Sequence, residues 1–235
     1  SGGPDSLALA FLSKVYSFRK NINSEFIIID HKLRKNSTKE AKLVKSILKK
    51  HNINSKILTW NGKKPTSNIQ SSARNKRYEL FYSFCKKYKF YNIVLGHHLD
   101  DLFENFFLRI LRGSGLKGLV SLDKKIKDND FNIFRPLLDI KKRDLEYVAK
   151  LIFNFYVNDP SNKDINFKRI KIRNFLDQLQ KEGLDKRKFL LTIKNLKYAN
   201  DGMNFYVNEN MNKNTFFSSQ KKQLILNNDF FQKPD

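Results

Sequence analysis

The chain has 235 residues, a formal net charge of +23 and one cysteine, Cys85. A single cysteine excludes an internal disulfide and a cysteine-rich metal site, and it fits the reducing cytoplasm. No apolar run reaches the length of about 18 residues that a membrane-spanning helix needs, so the sequence excludes a membrane span. The positive charge favours a polyanionic partner such as nucleic acid, and the Lys-rich composition of the whole chain is the alternative explanation.

The first six residues, Ser1 to Ser6, place two glycines, two hydroxyls and one carboxylate directly before an apolar helical pattern. Glycine lets the backbone turn tightly and approach a ligand closely. A helix that begins here directs its unpaired N–H groups and the positive end of its dipole into the turn. The turn therefore suits phosphate, and the alternative is an ordinary turn in which Asp5 or Ser6 caps the helix. Because a phosphate loop normally follows a buried strand, we expect that strand to lie upstream of Ser1.

Strand and helix patterns alternate after this turn. The continuous apolar run from Glu25 to Asp30 is typical of a buried parallel strand. This alternation predicts an α/β fold with a doubly wound parallel sheet. The further predicted strands cover 55–60 and 92–96, the predicted helices cover 4–20, 38–51, 68–88, 99–112 and 140–153, and a short extended piece covers 135–138.

Polar side chains follow two of the predicted strands at the point where each strand ends. Asp30 and His31 follow the first, and His97 and His98 follow the strand over 92–96. Ligands of such sheets bind beyond the carboxyl ends of the strands. Together with the opening turn, these segments predict one site at one edge of the sheet.

Helix 99–112 carries carboxylates in its first turns. Asp101 and Glu104 are three residues apart and are therefore neighbours on the helix surface. Mg²⁺ prefers few carboxylates together with substrate phosphates, so this pair suits Mg²⁺ beside a phosphate turn. The alternative is that acidic residues in the first turn merely stabilise the helix dipole. The predicted apolar face of the helix consists of Leu102, Phe103, Phe106, Phe107, Ile110 and Leu111.

Three other patterns have competing interpretations. His97 and His98 lack the further ligands that a zinc site needs, so a hydrogen bond to phosphate or substrate fits them better. Residues 113–118 match G-x-G-x-x-G, but a helix precedes them where a dinucleotide site requires a strand, so we reject NAD and FAD. Arg169 and Arg173 stand four apart, which suits either a phosphate clamp or a solvated basic face.

The C-terminal part of the chain has a different pattern. After a predicted turn at 159–162, the sequence is helical only. We place a boundary near residue 180, between a nucleotide-binding domain over 1–180 and a helical region over 184–235. Residues 215–235 are too few to form a domain of their own.

Seven short blocks follow one another over residues 1–180: Ser1-Gly2-Gly3-Pro4-Asp5-Ser6, Asp30-His31-Lys32-Leu33-Arg34, Gln70 with Ala73-Arg74 and Arg77-Tyr78, Gly96-His97-His98-Leu99-Asp100-Asp101 with Glu104, Leu111-Arg112-Gly113-Ser114-Gly115-Leu116, Arg135-Pro136-Leu137-Leu138 and Asp159-Pro160-Ser161-Asn162. The first block alone resembles the loop of the PP-loop ATP pyrophosphatases, which cleave ATP to AMP and pyrophosphate. The seven blocks in this order resemble the tRNA(Ile)-lysidine synthetases of that superfamily. Ile170 departs from the family, which usually has Asn at this position.

The resemblance implies an ATP-dependent, tRNA-modifying ligase. ATP would adenylate O2 of the wobble cytidine (position 34) of a tRNA(Ile) with a CAU anticodon and release pyrophosphate. The ε-amine of L-lysine would then attack C2 and expel AMP. The implied cofactors are ATP and Mg²⁺, and the implied location is the cytoplasm. The oligomeric state stays open, with a homodimer among the options.

The resemblance also implies roles for individual residues. ATP would be bound by Ser1, Gly2, Gly3, Pro4, Asp5, Ser6, Asp30 and His31. Mg²⁺ would be held by Asp5, Asp101 and Glu104. The expected catalytic residues are Asp5, His98, Asp101, Arg112 and Arg169. Contacts to tRNA or substrate are expected from Arg74, Arg77, Gly113, Ser114, Gly115 and Arg173.

Three other functions compete with this interpretation. A tRNA thiolase on the same loop typically needs a cysteine pair or an iron–sulfur cluster, and the chain has only Cys85. Relatives that amidate small molecules would not need a charge of +23. A catalytically silent RNA-binding relative would not need the carboxylates Asp5, Asp101 and Glu104.

Overall fold

Helices and strands alternate along the chain in the computed structural model, which describes residues 2–63, 65–67, 69–157, 168–219 and 222–231. The turn predicted at 159–162 lies outside the described residues. The helices are α1 (Pro4–Lys20), α2 (Ser37–Lys50), α3 (Ile69–Tyr88), α4 (Leu99–Ile110), α5 (Leu116–Leu119), α6 (Lys142–Phe153), α7 (Lys168–Lys181) and α8 (Lys186–Asn214). The strands are β1 (Phe26–Asp30), β2 (Ser55–Thr59), β3 (Asn92–Val94), β4 (Lys125–Asp128), β5 (Phe131–Phe134), β6 (Thr215–Ser218) and β7 (Gln223–Leu226), and a 3₁₀ helix covers Asn228–Phe231.

Strands that pair in parallel are connected through helices. β1 pairs in parallel with β2, in a register that places Phe26 opposite Ser55 and Asp30 opposite Thr59. β3 pairs in parallel with β5, whereas β4 pairs with β5 in the antiparallel direction. Parallel strands joined through helices confirm the predicted α/β class.

The hairpin β4–β5 is absent from the sequence prediction, and the extended piece predicted at 135–138 is wrong. Residues 136–139 form a turn, and the strand lies just before them. The chain carries signals for this hairpin. Phe131 and Ile133 are buried and alternate with less buried neighbours. Asn129 has a φ of 52°, which Asn adopts more readily than most residues, and it makes the turn between the two strands.

Two of the hydrophobic cores join strands to their helices. One joins α1, α2 and α6 to β1 and includes Leu7, Ile28, Val44 and Phe153. The other joins α3 to β3 and β5 and includes Cys85, Ile93, Phe131 and Ile133. Each core buries the apolar face of a helix against a strand whose own side chains face it, which is how such layered folds are stabilised.

Helix α4 differs from its prediction on both faces. Glu104, which the pattern places on the polar face, is 1% exposed, whereas Leu111, which it places on the apolar face, is 74% exposed. The helix ends at Ile110, so Leu111 belongs to the following turn. Gly113 has a left-handed φ of 66°, a conformation that glycine adopts without strain and that commonly ends helices.

The chain divides into two compact units, one of residues 1–105 and 122–171 and one of residues 106–121 and 172–235. In the second unit, Phe107 packs edge-on against Phe175 with ring centroids 5.7 Å apart. Its C-terminal part continues α8 into the antiparallel hairpin β6–β7, which the helical-only pattern of the sequence did not predict. Over the described residues, no helix is both long enough and apolar enough to cross a membrane.

Candidate active site

The opening turn leads directly into α1. Gly3 is the N-cap residue with extended backbone, and Pro4 takes the first helical position. A Cβ at Gly2 would overlap Val44 and Val157. Only glycine therefore lets the backbone pass here, and it is fixed because the carbonyl oxygen of Gly2 accepts a hydrogen bond from the backbone N–H of Val157 at 2.8 Å. Because Gly3 has no side chain to cap the helix, the first N–H groups of α1 are available to an anion.

The predicted residues of this turn have different positions. Ser1 lies outside the described residues. The Ser6 hydroxyl donates to the carbonyl oxygen of Gly3 at 3.0 Å and tightens the first turn. Asp5 does not act as a cap, because its Oδ1 is buried and has no hydrogen-bond partner among the described residues. The turn is therefore not an ordinary capped turn at Asp5.

The connection from β3 to α4 packs against the start of α1. A Cβ on Gly96 would lie 3.3 Å from the backbone oxygen of Asp5, so glycine permits the close approach. The approach brings together side chains from two separate segments. We call residues 3–6 and 96–101 the phosphate-turn junction.

His98 lies at the centre of the phosphate-turn junction and is 5% exposed. The backbone N–H of Asp100 donates to His98 Nδ1 at 3.2 Å, so the ring proton is assigned to Nε2. That Nε2 lies 3.7 Å from Asp5 Oδ2 and 3.5 Å from Asp101 Oδ2. The backbone N–H of His98 also donates to Asp101 Oδ2 at 3.0 Å. The imidazole N–H therefore points between two carboxylates.

Opposing electrostatic effects meet at this centre. Burial raises the pKa of Asp5, His98 partly offsets that rise, and the neighbouring carboxylate Asp101 raises the pKa further. Asp101 also lies beside a cation, because its Oδ1 lies 3.8 Å from Nη1 of Arg169. Two carboxylates that repel each other across one imidazole are a common arrangement at catalytic sites.

The residues of the junction fit a divalent cation. A cation would supply the partner that buried Asp5 Oδ1 lacks, and it would offset the repulsion from Asp101, which adds to the effect of burial on the pKa of Asp5. Within the described residues, no group of three or more His, Cys, Asp or Glu side chains has the geometry of a metal site. The structure thus brings Asp5 and Asp101 together as a pair, and it buries Glu104 without adding it to a three-carboxylate cluster.

His97 faces a different environment from His98. Its pKa is lowered to about 4, chiefly by burial and also by the cations Arg135, Arg74 and Arg169, against the opposing effect of Asp101. His97 is therefore neutral at physiological pH and cannot supply positive charge to a phosphate. It was predicted as part of a histidine pair, and its role differs from that of His98.

Asp30 has a position unlike that of Asp5. It is 2% exposed, and its Oδ1 accepts hydrogen bonds from the backbone N–H of Lys32 at 3.0 Å and from the Ser37 hydroxyl at 2.8 Å. Its Oδ2 accepts from the Thr38 hydroxyl at 2.6 Å. Burial raises the pKa of Asp30, but these hydrogen bonds outweigh it and lower the pKa below its ordinary value. Asp30 thus shapes residues 30–38, which we call the Asp30 loop.

The Asp30 loop positions His31 against an aromatic side chain and a cation. The His31 ring meets Trp60 edge-on with centroids 6.3 Å apart. Arg77 Nη2 lies 3.5 Å from His31 Nε2. The predicted ATP-binding residue His31 and the predicted substrate contact Arg77 therefore lie side by side.

The remaining predicted residues fall in two places. Arg74 lies in α3 with its guanidinium 5.2 Å from the ring centroid of Tyr78. The others belong to the second unit, namely Arg112, Gly113, Ser114, Gly115 and Arg173.

One buried charged residue, Arg135, was quoted in the family blocks but was not predicted as a site residue. Arg135, at the end of β5, is 2% exposed and donates from Nη1 to the carbonyl oxygen of Asp123 at 2.8 Å. A cation directly after an apolar strand was the available signal, because charged residues are rarely buried without a reason.

Comparisons with known proteins give consistent matches. Residues 1–180 match the PP-loop domain. The chain is 39% identical over 179 residues to the tRNA(Ile)-lysidine synthase of Orientia tsutsugamushi (strain Boryong), a match that covers 76% of this chain and 40% of that protein. It is 35% identical over 190 residues to the enzyme of the same name from Rhodopseudomonas palustris, covering 80% of this chain and 55% of that protein. The chain spans about half the length of the curated relatives that it matches.

A solved structure shares the fold. The U34-tRNA thiolase NcsA from Methanococcus maripaludis, determined with its 4Fe-4S cluster, superposes with a TM-score of 0.68. The match covers 85% of this chain and 69% of that chain, at 18% sequence identity. Identity this low shows a common fold and nothing about a shared reaction.

Proposed function

The chain belongs to the PP-loop domain family, and on that premise we propose that it acts as an ATP-dependent tRNA(Ile)-lysidine synthetase in the cytoplasm. The substrates would be ATP, L-lysine and a tRNA(Ile) with a CAU anticodon. The products would be lysidine at the wobble position, AMP and pyrophosphate. The proposal draws its substrates from relatives that carry this name and match most of the chain.

The observation that carries the proposal is the phosphate-turn junction. The uncapped start of α1 offers N–H groups to an anion, and the His98 N–H points between Asp5 and Asp101. An anion-binding helix end beside two carboxylates suits a triphosphate with its cation. We propose that pyrophosphate leaves at this junction.

The first step would form a bond between O2 of the cytidine and the α-phosphorus of ATP, and it would break the bond to pyrophosphate. The N–H groups of α1 would hold the leaving pyrophosphate, and His98 would donate from Nε2 to its oxygens. Mg²⁺ held by Asp5 and Asp101 would neutralise charge that develops on the phosphates. Arg169, which lies beside Asp101, would contact the transferred phosphate.

The second step would join lysine to the activated cytidine. The ε-amine must be neutral to attack C2, so a nearby carboxylate would accept a proton from it before the carbon–nitrogen bond forms. AMP then leaves with the former O2 of the cytidine. Neutral His97 is close to the carboxylate Asp101 and does not add positive charge that would repel the amine.

The two parts of the chain would have different tasks. Residues 1–180 would bind ATP and carry out catalysis, and residues 184–235 would form part of a helical tRNA-recognition region. Glu104 would support the cation from a buried position. Arg77 and Arg74 would contact substrate near the junction, and the contacts to tRNA from the second unit would come from Arg112, Gly113, Ser114, Gly115 and Arg173.

A thiolase reaction is disfavoured by the cysteine content. The only cysteine, Cys85, is buried in the core between α3 and β5. Burial raises the pKa of its thiol, so it stays protonated and is a poor nucleophile or cluster ligand. The thiolase resemblance therefore extends to the fold and not to the sulfur chemistry.

Radiolabelled ATP tests the proposal directly. The chain is incubated with tRNA of CAU anticodon, with and without lysine, and pyrophosphate, AMP and lysine-linked tRNA are measured. We expect pyrophosphate release to need tRNA, and AMP release and modified tRNA to need lysine as well. A tRNA whose wobble cytidine is replaced by uridine is the control and should be inert. Product that forms equally well without lysine would contradict the proposal.

A further inference from the structure

A cavity of about 510 Å³ lies between helix α3 and the hairpin β4–β5, within the first unit. None of its lining residues belongs to the phosphate-turn junction. Its walls combine aromatic rings with charges of both signs, from Arg74, Tyr78, Glu79, Tyr82, Asp128 and Arg135.

Arg135 is the least exposed of these charged side chains. Its guanidinium is almost fully buried. Among the described residues, its side chain makes one hydrogen bond, which it donates from Nη1 to the Asp123 carbonyl oxygen. Its Nε is buried with no partner among the described residues. A buried cation is unfavourable unless a counter-charge pairs with it, and the described residues give Arg135 no ion pair. A ligand anion in the cavity would supply the missing counter-charge.

The lining also carries negative charge that is held in place, at Asp128 of the β4–β5 hairpin. The Tyr82 hydroxyl donates to Asp128 Oδ2, and the Asn129 amide donates to Asp128 Oδ1 at 3.2 Å. The Tyr82 ring is fixed in turn, since it stacks on Phe131 with centroids 4.8 Å apart. Asp128 is thus a preorganised acceptor that faces the same cavity as Arg135.

The mixture of charges selects among ligand classes. A nucleic-acid phosphate would find Arg135 but would be repelled by Asp128 and Glu79 on the same walls. A small molecule with both a carboxylate and an ammonium group can pair with Arg135 and with Asp128 at once. A free α-amino acid is the simplest such molecule.

The cavity also neighbours the catalytic centre. Arg135 and Arg74 are close enough to His97 to lower its pKa electrostatically. His97 precedes His98, whose imidazole lies between Asp5 and Asp101. A ligand held in the cavity by one end can therefore present its other end toward the junction.

We propose that this cavity binds the free amino acid substrate, with its α-carboxylate on Arg135 and its α-ammonium toward Asp128. The proposal rests on the lysine-ligating function proposed above. It assigns the specificity for a free amino acid, as opposed to a simple amine, to Arg135.

The test compares L-lysine with cadaverine, which has the same chain and terminal amine but no carboxylate. Binding of each to the chain is measured by equilibrium dialysis in the presence of ATP, which needs no turnover. We expect the chain to prefer L-lysine by roughly 10- to 100-fold, the effect of one hydrogen-bonded charge pair. Arg135→Met should remove most of this preference by weakening lysine and leaving cadaverine nearly unchanged.

Two controls separate this effect from misfolding. Arg143→Met removes an exposed arginine of α6 and should leave both affinities unchanged. Thermal melting verifies that Arg135→Met folds, and Arg135→Lys serves if it does not, since it keeps the charge but loses the planar fork. Lysine binding with unchanged preference in a folded Arg135 variant would overturn the proposal.

Failure of the cavity assignment can be distinguished from failure of the proposed function. A wild-type chain that binds lysine through Arg135 but forms no lysine-linked tRNA supports the cavity assignment and contradicts the synthetase. A chain that forms lysidine with an unchanged lysine KM in Arg135→Met supports the synthetase and contradicts the cavity assignment. An increase in the tRNA KM alone would show that an RNA nucleotide occupies the cavity, and it would overturn the amino-acid proposal.

Discussion

The Asp30 loop and the phosphate-turn junction each place an aspartate at a strand-to-helix connection, yet the two carboxylates have opposite environments. Asp30 is buried with three hydrogen-bond donors, which lower its pKa. Asp5 has a buried oxygen without a partner and faces a second carboxylate, Asp101, and its pKa is raised. The first environment stabilises the folded chain, whereas the second costs stability.

The difference distinguishes a carboxylate that the fold itself satisfies from one that the fold leaves without a partner among the described residues. A satisfied carboxylate needs no ligand, whereas an unsatisfied one retains binding capacity for a cation or substrate. Functional sites commonly retain such unfavourable arrangements, and the rest of the fold compensates for them. Four predictions sharpen this comparison, and we give them from the largest expected effect to the smallest.

Asp101→Asn tests the junction through activity. The change removes the negative charge but keeps an oxygen that can accept from the His98 backbone N–H. We expect tRNA-dependent pyrophosphate release to fall roughly 100-fold or more, as for other preorganised charges at reacting phosphates, with tRNA binding nearly unchanged. Asp201→Asn, an exposed change in α8, is the matched control. Loss of folding instead of activity would show that Asp101 merely caps α4.

Asp30→Asn tests the Asp30 loop through stability. An amide cannot accept all three hydrogen bonds as a carboxylate does, and its NH₂ group would face donors. We expect a loss of roughly 2 kcal/mol in the free energy of unfolding at neutral pH, measured by urea denaturation. The deficit should shrink as the pH falls through the lowered pKa of Asp30, where the wild-type carboxylate is protonated as well. An unchanged midpoint would contradict the structural role.

His97 tests the comparison through pH. Its pKa of about 4 in the folded chain lies below the ordinary value of 6.5, so the unfolded chain binds more protons between these values. Stability should therefore fall as the pH is lowered from about 6.5 to 4, by an amount on the order of 1–3 kcal/mol. His97→Gln should flatten this part of the stability profile. A profile with the same slope in the variant would contradict the assignment.

Asp5→Asn should have the smallest effect on stability and the opposite sign. The raised pKa means that the ionised carboxylate costs stability above that pKa, and an amide removes this cost. We expect a gain of about 1 kcal/mol at neutral pH in metal-free buffer. The gain should vanish below about pH 4, where Asp5 is neutral in both states. A loss of stability at neutral pH would place Asp5 with Asp30 as a structural residue.

The α/β class and the junction could be predicted because they depend on local patterns. The apolar run before Asp30, the glycines at 2–3 and the spacing of Asp101 from the strand end are all visible in the sequence. The family resemblance predicted from these blocks is confirmed by the PP-loop match over residues 1–180. The ATP and Mg²⁺ roles of individual residues remain predictions.

The features that were missed depend on contacts distant in sequence. The burial of Glu104 follows from packing around α4, which helical periodicity does not contain. The different roles of Asp5 and Asp30 depend on which donors surround each carboxylate, and the donors to Asp30 lie up to eight residues away. The cavity beside Arg135 needs a hairpin whose strands are only four residues long, which is near the lower limit for recognition by alternation.

The most direct test of the functional assignment of the junction is pyrophosphate release by Asp5→Asn, measured with ATP, Mg²⁺ and tRNA of CAU anticodon beside a melting curve of the same sample. If the Asp5 carboxylate serves chemistry at a cost in stability, we expect the variant to lose pyrophosphate release while its melting temperature equals or exceeds that of the wild type. Release at the wild-type rate from the folded variant would contradict it.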